Sequence, residues 1–350
     1  MQSNPKNNNH WTYTVLFLCL GEYIELVTFA FLTPTIGILF FHNQSAWLQQ
    51  LYSICLFSAA YIVRPIGGYV VGYFSDIYGR KQGLIMISLI GAIASFCIGL
   101  LPTHSATGLV LLVSLRLIQG FTMSNESTLV AIWLYENTPS YHQWISYLMG
   151  ILALATIMAM ELIHILETFL SKDSFLQWGW RIPFLMSGII IGLTFWIRRY
   201  MPEQKISTMN IRQNSPWPYF FISTALASMV MHYMYLPKYI PVITHKHLLA
   251  GWVISIITAL AIAKRVPSIK SATFLSVLIF PMCYFFRQNA WALTCMFQLS
   301  LTVFAVSSYC WIVKTLPSSK LGRLFGLYSQ IGSSTAAALI PITVMFRSLL

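Results

Sequence analysis

The stretch "GYFSDIYGRK", Gly72–Lys81, sets an acid, a glycine and two bases directly behind an apolar run that begins near Ala46. The chain has 350 residues, 57% hydrophobic and only 9% charged, against roughly 25% charged in an ordinary soluble domain. A cluster of charge is therefore an exception that needs a place. Apolar runs of the roughly 20 residues needed to cross a bilayer recur along nearly the whole length, with short polar breaks between them. The composition reads as an all-α, multi-pass membrane protein whose membrane part is its functional part.

Working outward from Gly72, apolar length against polar breaks predicts helices over 12–41, 46–74, 82–101, 106–136, 143–169 and 180–201. After the polar stretch "MPEQKISTMNIRQNSP" the pattern resumes over 217–238, 248–264, 271–286, 289–313 and 322–345. The expected organisation is a six-helix bundle over 1–201, a cytoplasmic linker over 202–216 and a shortened second bundle over 217–350. That is about 11 spans. The first apolar run is too long for a signal-peptide core and lacks a small-residue cleavage site, so it is read as a retained helix.

Positive charge sets the expected orientation, because cytoplasmic loops are enriched in Lys and Arg. Thirteen of the 21 bases fall on the side of the amino terminus, Arg198 and Arg199 among them. Six fall on the other side, and Arg64 and Arg116 lie within helical segments. This predicts a cytoplasmic amino terminus. The same placement argues against nucleic acid as the reason for the net charge of +12, since the bases sit in breaks rather than along one face.

Six cysteines stand singly in apolar runs, giving neither a disulfide framework nor a metal site. No nucleophile–base set or phosphate-cradling loop emerges, so an enzyme is not expected, and no cofactor or metal is called for. His245, Lys246 and His247 read as a solvated outside loop. Glu161 and His164, three apart, are able to share a proton, but read more simply as a polar face beside Glu167 near a helix end. Most of the dense aromatics, "WGW" and Trp217 included, read as interfacial anchors.

The quoted stretch is the short loop between helices 2 and 3. There Asp76 is able to face a helix amino terminus, Gly79 permits a tight turn, and Arg80 and Lys81 remain in water or meet acids. On spacing alone a plain positive-inside loop containing an aspartate reads equally well. The preceding "RPIGG", Arg64–Gly68, alters the balance. Gly68 and Gly72 give small-xxx-small spacing for a close helix approach, and with a charge and a proline they suggest a helix contact that moves.

These residues resemble the major facilitator superfamily, whose loop between helices 2 and 3 carries a pattern like G-x-x-x-D-x-x-G-R-K, matched by Gly72, Asp76, Gly79, Arg80 and Lys81. Ile77 and Gly83 stand where that family often has bases. "RPIGG", "RLIQGF" at 116–121, "WGWRIPF" at 178–184 and "GEYIEL" in helix 1 narrow the resemblance to the metabolite:proton symporter branch, which includes proline/betaine and dicarboxylate carriers. The likeness covers about residues 20–203 well and the second half mainly through "GRLFGLYSQIG" at 322–332. A twelfth helix is not found, and "SNES" replaces the branch's usual glycines before Glu126.

Charges within the membrane cost about 2.5–3.5 kcal/mol on insertion scales and usually face partners or a wet cavity. Glu22 and Glu25 share a helix face, and two close carboxylates favour holding a proton between them. Glu22, Glu25 and Glu126 are the proton-coupling candidates; alternatively, one helix-1 glutamate pairs with Arg64 or Arg116 to hold helices together. Arg116 and Gln119 are substrate-binding candidates, Arg116 serving either as a fork for a carboxylate or as a structural counter-ion. Glu126 lies ten residues beyond Arg116, about 15 Å along a helix, and needs a separate partner. Arg64, Gly72, Asp76, Gly79, Arg80 and Lys81 are the gating candidates. The resemblance implies a bacterial inner-membrane carrier that moves a small carboxylated or zwitterionic metabolite with protons. The competing expectation is a repurposed, non-transporting membrane protein acting as sensor, scaffold or partner subunit; the sequence is silent on oligomeric state.

Overall fold

The computed structural model describes residues 8–202, 218, 219, 222, 244–276 and 289–347. The linker beyond 202, the helix expected over 217–238 apart from three of its residues, and the part of the 271–286 helix beyond 276 lie outside them. Among the described residues there are helices and turns but no strand, and eight helical spans are long and apolar enough to cross a membrane.

In chain order the helices are α1 (Asn8–Phe40), α2 (Ala46–Tyr78), α3 (Arg80–Gly99), α4 (Ala106–Thr122), α5 (Glu126–Asn137), α6 (Tyr141–Phe169), the short α7 (Lys172–Gln177) and α8 (Ile182–Arg198). They continue with α9 (His245–Ile262), helical residues 269–276, α10 (Ala290–Thr315) and α11 (Leu321–Arg347). α3 packs on α8, α1 on α6, and α9 on α10 and α6. α2 lies against α4 and, more extensively, against α11. One apolar cluster joins Val15, Leu129, Ile145, Val306 and Phe325 from five helices; another gathers Phe29, Phe57, Trp180 and Phe184.

The corner between α2 and α3 is a single residue. Gly79 has φ +99, in the left-handed region that favours glycine, and its N–H donates to the carbonyl of Ser75 at 3.1 Å. A Cβ there would meet nothing, so backbone conformation alone demands the glycine. Ser45 opens α2 by accepting from the amide of Leu48. Pro65, inside α2, has no N–H to offer the carbonyl of Tyr61. Ser334 of α11 donates to that carbonyl instead.

The expected helix over 106–136 is broken. Met123, Ser124 and Asn125 separate α4 from α5, because polar side chains there serve backbone groups in place of the helical ladder. Ser124 Oγ donates to the carbonyl of Phe121 at 2.7 Å, and Asn125 Nδ2 donates to the carbonyl of Gly68 at 2.7 Å. The consequence is that "SNES" starts a new helix at Glu126. His245–His247, expected as a solvated loop, form the first turn of α9, where Thr244 and His247 close a capping box.

Candidate functional site

A cavity of about 180 Å³ lies between α1, α2, α5 and α6 on one side and α10 and α11 on the other. One water needs only about 10–15 Å³ by this measure. Its wall includes Glu22, Tyr23, Tyr61, Arg64, Glu126, Tyr309 and Gln330 among apolar neighbours. A half-helix amino terminus next to a cavity between helix bundles is a favourable place for a carboxylate, and Glu126, in the first turn of α5, occupies such a place.

Behind that wall, Glu22 and Glu126 converge on Arg198, the last residue of α8. Arg198 Nη1 lies 2.8 Å from Glu22 Oε1 and 3.2 Å from Glu126 Oε2, and Nη2 pairs with Glu126 Oε1. Ser88 of α3 donates to Glu22 at 2.8 Å and accepts from Arg198, which also donates to the carbonyl of Leu84 at 3.2 Å. Arg198 is fully buried. It was expected on the cytoplasmic surface with Arg199; the structure corrects this, because the two in-membrane glutamates hold it inside. No spacing in the sequence ties Arg198 to the two glutamates, which lie 176 and 72 residues away.

Glu25 enters a separate cluster. Gln119 bridges it to Arg116: the Gln119 amide nitrogen donates to Glu25 Oε1 and, at 3.1 Å, to Ser95, while its oxygen accepts from Arg116 at 2.7 Å. Arg116 stands 3.9 Å from Glu25 Oε1 and 3.8 Å from the Phe29 ring centroid. Arg116, Gln119 and Glu25 are buried and stand outside the described cavity wall. Glu22 and Glu25, although three apart, face different cations.

The opening stretch forms a third cluster. Asp76 Oδ1 accepts from the amide of Gly322 at 2.8 Å and Oδ2 from that of Arg323 at 3.1 Å, so it faces the amino terminus of α11. Arg80 pairs with Asp76 and, at 3.0 Å, with Glu136 at the end of α5; Arg323 Nε lies 3.4 Å from Asp76. Glu136 was not among the sequence candidates, since nothing in its spacing ties it to Arg80. Lys81 is half-buried. Below this cluster α2 and α11 touch through glycines: a Cβ at Gly72 would strike the carbonyl of Gly322, and one at Gly68 that of Gly326. Arg64, grouped with these residues on sequence, stands twelve residues from Asp76, about 18 Å along the helix, in the cavity wall.

Away from these clusters, Glu161 of α6 pairs with His245 of α9 at 2.8 Å, and the His164 and His245 rings lie 4.5 Å apart. Glu161, read from the sequence as part of a polar face with His164, thus pairs with another helix.

The model of the family described as "Sugar (and other) transporter" matches residues 10–236. Among curated proteins, a proline/betaine transporter of Salmonella typhimurium is 29% identical over 190 residues, which is 52% of this chain and 37% of that protein. A citrate-proton symporter of Klebsiella pneumoniae is 33% identical over 52% of this chain and 42% of that protein. The matched region thus spans well under half the length of these relatives. The structure of the proton:xylose symporter XylE bound to 6-bromo-6-deoxy-D-glucose superposes with a TM-score of 0.79 at 13% identity, covering 97% of this chain and 89% of that one. The human organic anion transporter MFSD10 gives 0.70 at 13% identity, over 95% and 92%. With helices in the observed order, a cavity between two sets of them and these matches, the chain belongs to the sugar (and other) transporter family and has the major facilitator fold.

Proposed function

We propose that the protein is a proton-coupled secondary carrier that moves a small carboxylated or zwitterionic metabolite by alternating access, its first bundle spanning 1–201 and its second beginning at 217. The charge count within one buried triad carries this reading: Glu22 and Glu126, which line the cavity, share the single guanidinium of Arg198 behind its wall. Neutrality needs one proton on the pair, and both acids border the cavity through which that proton would come and go. Glu25, by contrast, is balanced by Arg116 within its own cluster. We therefore assign the coupled proton to Glu22 and Glu126, with Glu25 holding α1 to α4.

Asp76 and Arg80 act as a latch at the inner end. The bonds of Asp76 to the α11 amino terminus, with Arg80 bracing Asp76 against Glu136, tie the two bundles in one state and release them in the other, at a place where water receives the freed charges. The Lys and Arg bias supports a cytoplasmic amino terminus in a bacterial inner membrane. The relatives named as proline/betaine and citrate–proton carriers support the solute class.

The test is uptake of labelled proline, betaine, 2-oxoglutarate and citrate into proteoliposomes with and without an imposed proton gradient. Gradient-dependent accumulation of one of them is expected. Correctly inserted protein that accumulates none would favour a non-transporting membrane protein.

A further inference from the structure

The chain contains nine aspartates and glutamates, and among the described residues their ion pairs leave one buried arginine over. Glu22 and Glu126 meet Arg198, Glu25 meets Arg116, Asp76 and Glu136 meet Arg80, and Glu161 meets His245. Glu167 and Asp173 are exposed. The ninth, Glu203, lies outside the described residues, in the linker. Arg64 therefore takes part in no ion pair among the described residues, although it is 6% exposed.

Its guanidinium lies 3.6 Å from the centroid of the Tyr61 ring, and its Nε has no hydrogen-bond partner. Arginine stays protonated, and an ionised group held away from bulk water without a direct partner is costly; Glu25, whose ion pair is with Arg116, acts on Arg64 only at longer range. Arg64 lines the cavity, with Tyr309, Gln330 and Ser333. We infer that Arg64 is the anchor for the carboxylate of the transported solute, one of the two roles open to Arg116 on sequence; this rests on the carrier reading above.

Three features fit the role. The guanidinium fork matches a carboxylate in two parallel bonds, and the Tyr61 face holds the fork by cation–π attraction while leaving its edge for a ligand. Arg116 already has a carboxylate 3.9 Å away in Glu25, donates through Nη1 to Gln119 and stacks on Phe29, although its Nε, like that of Arg64, has no hydrogen-bond partner. Lastly, the turn carrying Arg64 is tied across the bundles, since Ser334 of α11 takes up the Tyr61 carbonyl that Pro65 leaves free. A solute held by Arg64 thus bears on the same α2–α11 contact that the Asp76 latch closes.

The experiment measures thermal unfolding of the purified full chain with L-proline, betaine, 2-oxoglutarate or citrate, and with D-xylose as an uncharged probe, beside proteoliposome uptake of the same compounds. At least one carboxylate should stabilise the wild type, and Arg64→Gln should weaken that binding about 10- to 100-fold, the worth of a charge-assisted bond. Arg64→Lys, which keeps the charge but loses the fork, should fall between. Without ligand, Arg64→Gln should unfold at or above the wild-type temperature, because the charge it removes has no carboxylate to leave behind. Wild-type affinity in Arg64→Gln, or no response to any carboxylate, overturns the anchor. Gradient-driven uptake of xylose alone would overturn it while the carrier reading stands; carboxylate binding lost in Arg64→Gln without uptake by any protein would keep the anchor and overturn the carrier.

Discussion

Replacing Arg198 by glutamine isolates the buried charge triad on which proton coupling is proposed to rest. The arginine gives charge-assisted bonds to two carboxylates, and its own exposure is 0%. At about 1.5–3 kcal/mol for each charged partner, the two contacts together are worth about 3–6 kcal/mol. Stripping one member from a buried ion pair costs about 3–5 kcal/mol by the same reasoning, because the remaining charge keeps its desolvation without compensation. Here Glu22 and Glu126 would face each other with no cation between them. Arg198→Gln should therefore lose about 3–5 kcal/mol in equilibrium unfolding of the purified protein, followed by tryptophan fluorescence. Arg198→Leu combined with Glu22→Gln and Glu126→Gln should return to within about 1 kcal/mol of wild type, since uncharged replacement of a whole buried triad is often neutral. Full stability of the single variant, or a combined variant as unstable as the sum of its parts, would refute the triad.

The remaining predictions concern the latch, the helix contact and the second cluster. Asp76→Asn removes the ion pairs with Arg80 and Arg323 and weakens the acceptor facing α11, so transport should slow about tenfold with little change in substrate affinity, since a latch acts on the conformational equilibrium; lost binding with an unchanged transport rate would contradict this. Gly72→Val sets side-chain atoms against the Gly322 carbonyl and should abolish uptake in correctly inserted protein, with Gly72→Ala between; wild-type uptake by the valine variant would disprove the close approach. Glu25→Gln leaves Arg116 buried without its carboxylate and should destabilise by about 3–5 kcal/mol, most of it recovered by adding Arg116→Gln. Strict additivity of those two changes in unfolding free energy would rule out their pairing.

Much of this architecture was legible in the chain. Apolar length found the described spans to within a few residues at most ends, because a bilayer sets helix length. Gly79 and the Gly68–Gly72 spacing were readable because a left-handed corner and a close helix approach each demand glycine for a reason local to the residue. Asp76 was readable as a helix-facing acid, but its target was not, since Gly322 lies 246 residues away and no periodicity links them.

The site itself was less legible. A rule about loops placed Arg198 on the cytoplasmic surface, whereas the glutamates of α1 and α5 hold it buried within the protein; orientation statistics cannot see a specific partner. The segment "SNES" read as an eroded motif, yet its hydroxyl and amide groups break the helix and set Glu126 at a helix start beside the cavity. Arg64 and Arg116 are alike in sequence, each a lone base in an apolar run. Only the distribution in space of the acids among the described residues tells the arginine paired with Glu25 from the one lining the cavity.

The most direct test of the central claim compares two fluxes through Glu126→Gln in proteoliposomes: gradient-driven accumulation of the transported carboxylate, and its exchange across a membrane without a gradient. If Glu22 and Glu126 carry the coupled proton, exchange persists in the variant while accumulation is lost. Accumulation at the wild-type level in Glu126→Gln would contradict the assignment of the proton to this pair.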